Sequence, residues 1–106
     1  RGLMDAEAFA AMREGAWFIN CARGGIVDSK ALAEALAGGR LDGVGLDVHA
    51  VEPADPTDPI YADDRVVALP HVAGSSEPAF VAIAEVVGAN IERLAAGESL
   101  LHRVDR

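Results

Sequence analysis

A single cysteine, one tryptophan, one tyrosine and three phenylalanines are all that 106 residues supply of thiol and aromatic side chains. One cysteine, Cys21, excludes an internal disulfide framework, and a reducing, cytoplasmic setting is the expectation that follows. Basic side chains are scarce too: 9 Lys and Arg against 17 Asp and Glu leave a formal net charge of −8. That balance disfavours phosphate backbones and anionic membranes, so neither nucleic acid nor membrane is expected as a partner. An anionic small molecule stays open, because one well-placed arginine outweighs a distant acidic surface. No hydrophobic run approaches a membrane span, and no signal peptide is visible. Internal repeats and low-complexity tracts are absent.

What is present is an ordinary globular composition, 51% hydrophobic and 25% charged. A chain of this length makes one compact domain that buries roughly 60–70% of the surface its unfolded form exposes. It opens at Arg1 without an initiator methionine and enters a helix almost at once, so it is expected to be the interior of a longer protein.

The stretch "MDAEAFAAMREG" offers Asp5 as N-cap, Glu7 in the first turn, Phe9 and Met12 on one face and Gly15 as a stop. "AWFINC" reads as a short buried strand. After Arg23-Gly24-Gly25, Asp28 caps a helix whose apolar stripe is Leu32 and Leu36 and whose end is Gly38-Gly39. "GVGLDV" (43–48) is a second strand, and its two glycines predict another backbone packed closely against it. Residues 49–64, with Pro53, Pro56 and Pro59 among aspartates, form a loop; "RVVAL" (65–69) is a third strand. The longest helix runs from Pro78 to about Ala96, with Phe80, Ile83, Val87, Ile91 and Leu94 at three- and four-residue spacing. The tail "ESLLHRVDR" is either a short strand or a docking segment.

Strand–helix–strand order with near-continuous apolar strands predicts an α/β fold built on a parallel sheet. The strands' C-terminal ends then share one edge, where open α/β sheets bind ligands. Charged groups from all three strand ends converge there. Arg23 follows the first strand, Asp47 and Glu52 stand at or after the end of the second, and His71 follows the third.

Each has a plain alternative. Arg23 with its glycines suits a surface turn as well as a carboxylate fork, which glycine would let approach the backbone. Asp47 is read as a strand-end cap that needs a partner if buried. Glu52 by itself is a solvated loop side chain, and a lone histidine such as His71 is more often structural than catalytic. A metal held by His49, Glu52 and His71 lacks supporting ligand spacing, so no metal is expected. Cys21 is read as a small packing residue rather than a nucleophile. Ser75 and Ser76 lack a G-x-S-x-G elbow, which argues against hydrolase chemistry.

The three motifs "NCARGGIVD", "GLDVHAVEP" and "LPHVAGSS", in that order, resemble the second half of the nucleotide-binding domain of the NAD-dependent D-2-hydroxyacid dehydrogenases. That family includes phosphoglycerate, glycerate/glyoxylate and formate dehydrogenases and related corepressors. The resemblance implies a partial Rossmann-type domain over residues 1–97, with the long helix returning to a substrate domain to which 98–106 would belong. It implies that Arg23 binds the substrate carboxylate and carbonyl, that His71 is the acid/base and that Glu52 is its partner. Asp47 would contact the nicotinamide carboxamide, and the backbone at Cys21, Ala22 and Gly74 would line the nicotinamide site. The implied cofactor is NAD, with NADP open, and the substrate a small 2-hydroxy or 2-oxo acid; a homodimer is the implied assembly.

The chemistry is self-consistent. Reducing a 2-oxo acid puts hydride on C2 while a proton reaches the developing alkoxide. A histidine beside a carboxylate can donate that proton near neutral pH, an effect typically worth about 10²–10⁴-fold. Departures from the family are Cys21, where threonine or serine is usual, and Pro78, which predicts a slightly later helix start. No G-x-G-x-x-G opens a helix here; the G-x-G of "GVGLDV" lies in a strand. The chain alone is therefore expected to turn over little. A non-catalytic, corepressor-like nucleotide-sensing module and an inactive fragment are the alternatives.

Overall fold

The structure, a computed structural model, describes residues 2–104. It divides into two compact units, Arg1–Ala73 and Gly74–Arg106. The first unit carries α1 (Ala6–Ala11), β1 (Ala16–Asn20), α2 (Ser29–Ala37), β2 (Leu41–Leu46) and β3 (Val66–Ala68). The strands form one parallel sheet in the order β1-β2-β3, with Asn20 opposite Leu46 and Leu46 opposite Ala68. Three C-terminal strand ends thus lie side by side, as the sequence predicts.

Both N-caps act as anticipated. The Asp5 carboxylate accepts from the Ala8 N–H at 2.9 Å, and that of Asp28 accepts from Lys30 and Ala31 at 3.0 Å, satisfying amide groups that the first helical turns leave unpaired. Leu32 and Leu36 on α2 and Phe9 on α1 meet Leu41, Val44 and Leu46 of β2 in the core. Phe9 sits edge-on to Phe18 of β1, the ring centroids 5.2 Å apart. Each such side chain withdrawn from water contributes about 1.5–3 kcal/mol.

The opposite sheet face departs from expectation. Trp17 and Ile19, read as part of a buried strand, are each 68% exposed. Their side chains lie over the glycines of β2: a Cβ on Gly43 would come within 2.7 Å of the Trp17 ring, and one on Gly45 within 3.4 Å of Ile19. The close neighbour that "GVG" announces is therefore a pair of side chains from β1, not another backbone. The loop from 49 to 64 also gains local order, a 3₁₀ turn at Pro59–Ala62 whose first N–H groups include that of Ile60, accepted by Asp58 at 3.0 Å.

In the second unit, α3 spans Glu77–Ala95. It starts before Pro78 rather than after it, because proline in the first turn gives up an N–H that has no intrahelical acceptor. Phe80, Ile83, Val87, Ile91 and Leu94 keep their helical spacing, yet each is more than half exposed. Of the tail, residues 98–104 are described and form no strand; Asn90 exchanges hydrogen bonds with the Leu101 backbone, and Arg93 Nε donates to the Ser99 carbonyl at 2.6 Å, while residues 105 and 106 lie outside the described residues. Among the described residues, no helix is long and apolar enough to cross a membrane.

Candidate active site

The edge formed by the three strand ends is shaped first by Asn20, the last residue of β1. It is 3% exposed, and its side chain accepts from the Ala22 N–H at 3.0 Å and donates to the Arg23 carbonyl at 3.1 Å. Its own carbonyl accepts from the Asp47 N–H at 3.0 Å. One amide side chain thereby closes the turn that carries Arg23 and ties it to β2. Gly24 then passes so close to the His49–Ala50 peptide that a Cβ there would collide with the His49 carbonyl. Here glycine is required by contact, not by φ. The Arg23 guanidinium donates to the Ala22 carbonyl at 2.7 Å, and among the described residues it makes no ion pair.

Asp47 follows β2 and is 3% exposed. Its Oδ1 accepts from the Val72 N–H at 2.7 Å and its Oδ2 from the Ala73 N–H at 2.9 Å. The partner that a buried carboxylate requires is thus the backbone just after His71. That grip holds a turn in which His71 itself adopts a left-handed φ of 59°. Such a conformation is uncommon for a side-chain-bearing residue and persists only where its surroundings impose it.

His71 Nδ1 lies 2.9 Å from Glu52 Oε2, both side chains half-exposed. The second Glu52 oxygen accepts from the His49 N–H at 3.0 Å. These two hydrogen bonds, that with His71 foremost, hold the Glu52 carboxyl below the usual glutamate value. A carboxylate only accepts, so the proton of this contact resides on Nδ1. Nε2 of His71 makes no hydrogen bond among the described residues and is free to give or take a proton.

The structure therefore joins Glu52 to His71 by a direct hydrogen bond, while Asp47 holds the backbone of the two residues that follow the histidine. Arg23 makes no bond to this set among the described residues; it stands in the turn after β1, next to Gly24, which lies against the His49–Ala50 peptide. Cys21 and Ala22 are exposed in the Asn20 turn. Cys21 does not pack as a small interior residue; its thiol is exposed because Asn20, one position earlier, takes the buried end of the strand. Gly74 opens the second unit and has open space where a Cβ would stand.

Sequence reasoning missed Asn20 and the role of His49. An asparagine between an apolar strand and small residues is a recognisable Asx-turn signal. His49, weighed as a metal ligand, has both ring nitrogens engaged: Nδ1 with the Tyr61 hydroxyl at 2.8 Å and Nε2 with the Leu69 carbonyl at 2.9 Å. Nothing in the spacing of residues 49, 61 and 69 announces that contact.

The family model described as "D-isomer specific 2-hydroxyacid dehydrogenase, NAD binding domain" matches residues 1–73. The chain is 38% identical over 106 residues to D-3-phosphoglycerate dehydrogenase of Bacillus subtilis, covering 99% of this chain and 20% of that protein. It is likewise 38% identical over 96 residues to D-3-phosphoglycerate dehydrogenase of Archaeoglobus fulgidus, covering 91% of this chain and 18% of that one. The crystal structure of a D-isomer specific 2-hydroxyacid dehydrogenase from Xanthobacter autotrophicus Py2 in complex with NADPH and MES superposes with a TM-score of 0.86. The two are 44% identical, over 99% of this chain and 43% of that one. An NADPH-dependent glyoxylate/hydroxypyruvate reductase from Sinorhizobium meliloti, in complex with NADP and sulfate, superposes at 0.80 with 34% identity, over 99% of this chain and 34% of that one. The chain spans about a fifth of the length of these curated relatives.

Proposed function

This chain belongs to the NAD-binding-domain family of the D-isomer specific 2-hydroxyacid dehydrogenases, and we propose that it carries the substrate-anchoring and proton-transfer side of such an enzyme's active site. The observation that carries this reading is the Glu52–His71 contact at 2.9 Å, with Nε2 of the histidine making no hydrogen bond among the described residues.

In this reading Arg23 binds the carboxylate and carbonyl of a small 2-oxo or 2-hydroxy acid, and the lack of an ion pair to it among the described residues supports that role. When bound, NAD(H) or NADP(H) supplies or accepts the hydride at C2. His71 Nε2 gives a proton to the oxygen as it becomes an alkoxide, and removes it in the oxidation direction. Glu52 fixes the tautomer that exposes Nε2 and stabilises the imidazolium. Arg23 also stabilises negative charge developing on the substrate oxygen.

The residues at this edge fit the nicotinamide end of such a cofactor. Cys21 and Ala22 present exposed backbone. Asp47 already accepts from two backbone N–H groups, yet each carboxylate oxygen keeps a second lone pair for a carboxamide donor. Gly74, the next residue in the chain after Ala73, is the remaining residue that the family resemblance implies for this role. Residues 1–97 are read as part of the nucleotide-binding domain and 98–106 as the start of the substrate domain. A cytoplasmic homodimer completes the reading, and the exposed apolar stripe of α3 accords with a subunit or domain contact.

The test is a chimera in which residues 1–106 replace the corresponding segment of the Xanthobacter relative. Consumption of NADH or NADPH with glyoxylate or hydroxypyruvate is expected. A folded chimera that binds the dinucleotide and reduces no 2-oxo acid would overturn the proposal in favour of a nucleotide-sensing module.

A further inference from the structure

His49 closes a ring of contacts around the Glu52–His71 pair. Its backbone N–H donates to Glu52 Oε1 at 3.0 Å, while its imidazole Nε2 contacts the Leu69 carbonyl at 2.9 Å. Leu69 stands two residues before His71, and its own N–H donates to the Leu46 carbonyl at 2.8 Å. The ring therefore runs from His49 to Glu52, across to His71, back along the chain to Leu69, and returns to His49. A carbonyl only accepts, so Nε2 of His49 carries the proton. In the neutral ring Nδ1 then accepts, and the Tyr61 hydroxyl, 2.8 Å away, is its donor.

Tyr61 is suited to that part. It belongs to the 3₁₀ turn Pro59–Ala62. Its ring meets that of His49 edge-on, with centroids 5.5 Å apart. Desolvation, and then the charges of Asp58 and Asp55, raise the phenol's pKa, which keeps the hydroxyl protonated as a donor. Among the described residues, the imidazole bond adds a link between the Glu52 loop and the β3 end to that of the exposed Glu52–His71 pair, beside the Asp47 bonds to Val72 and Ala73. Exposed pairs are weak and mobile. An acid/base pair needs its partner held within a few tenths of an ångström of working geometry, and groups locked by further hydrogen bonds supply that.

We propose that His49, oriented by Tyr61, is a positioning residue that sets the Glu52–His71 contact by clamping the Glu52 loop to the β3 end. The clamp's purpose rests on the proposed acid/base role of that pair, but its existence does not. Its test therefore uses neither cofactor nor turnover.

Two measurements on the chain decide it. The ¹⁵N shifts of the His49 ring report its tautomer directly, and the Nε2–H form is expected. The Nδ1–H form, or rapid exchange between the two, would overturn the clamp without any substitution. The second measurement is the ¹³C titration of the Glu52 carboxyl in three variants, beside their thermal unfolding. His49→Phe keeps an aromatic ring and removes both ring hydrogen bonds; the Glu52 midpoint is expected to rise toward that of an ordinary glutamate. His49→Gln restores a donor at the position of Nε2, and the midpoint is expected to return toward the parent's. Tyr61→Phe deletes only the hydroxyl and is expected to raise the midpoint by less than His49→Phe does. Loss of stability with an unchanged Glu52 titration would mean that His49 merely packs, and would overturn the proposal. Should His49→Phe not fold, Tyr61→Phe and His49→Gln give the same comparison. An unmoved midpoint in Tyr61→Phe together with a raised one in His49→Gln would then count against the clamp.

Discussion

Asp47 and His71 are linked through the backbone rather than through their side chains: the buried Asp47 carboxylate accepts from the N–H groups of Val72 and Ala73, the two residues that follow the histidine. The turn so held gives His71 its left-handed φ of 59°. A carboxylate at the end of one strand thus sets the backbone from which a side chain at the end of the next reaches Glu52.

Replacing Asp47 by asparagine keeps one acceptor and sets an amide N–H₂ against a backbone donor. Leaving a buried donor unsatisfied costs about 1–3 kcal/mol. Asp47→Asn is expected to lower stability to urea by that amount and to speed hydrogen exchange at Val72 and Ala73. Unchanged exchange at those two amides would show that the turn is held some other way.

The glycines after Arg23 should behave differently from one another. A Cβ at Gly24 would collide with the His49 carbonyl, whereas one at Gly25 meets nothing within 4 Å. Gly24→Ala forces backbone apart and is expected to cost about 1–3 kcal/mol, the range for overpacking. Gly25→Ala should stay within about 0.5 kcal/mol of the parent, like an ordinary surface substitution. Urea unfolding of the two variants gives the comparison.

The acid limb of stability carries a mark of Glu52. Its folded carboxyl titrates below the ordinary value of 4.5 because His71 and the His49 N–H bond the ionised form. A depressed carboxylate contributes stability above its unfolded pKa and loses it as pH falls through the folded one. The stability difference between the parent and Glu52→Gln should therefore be full above pH 4.5 and shrink below it. A difference that grows on acidification would contradict the assignment.

In the core, Phe9 is 1% exposed and packs edge-on against Phe18. Phe9→Ala removes that contact and leaves a cavity between α1 and the sheet, at an expected cost of about 3–5 kcal/mol. Thermal or urea unfolding measures it.

The parallel sheet, both capped helices of the first unit and the convergence at one edge were legible in the sequence because local signals carried them. Asp5 and Asp28 are caps by residue type and position, and apolar strands between helices leave little choice but a parallel sheet. The exposure of Trp17 and Ile19 was not legible, since an apolar strand reads the same whether one or both of its faces are covered. At the site, the pairing of Glu52 with His71 came from resemblance. The His49–Tyr61–Leu69 contacts had no local sign at all, because they depend on how a 16-residue loop folds back between two strands. Asn20 could have been found from the Asx-turn pattern alone.

The central claim, that His71 transfers the proton and Glu52 supports it, is tested most directly by His71→Gln in the chimera with the Xanthobacter relative, with dinucleotide binding and 2-oxo acid reduction measured side by side. The expected result is a fall in kcat of about 10²–10⁴-fold with dinucleotide affinity retained. Reduction at a rate within a few-fold of the unsubstituted chimera would contradict the assignment and take His71 out of the chemistry.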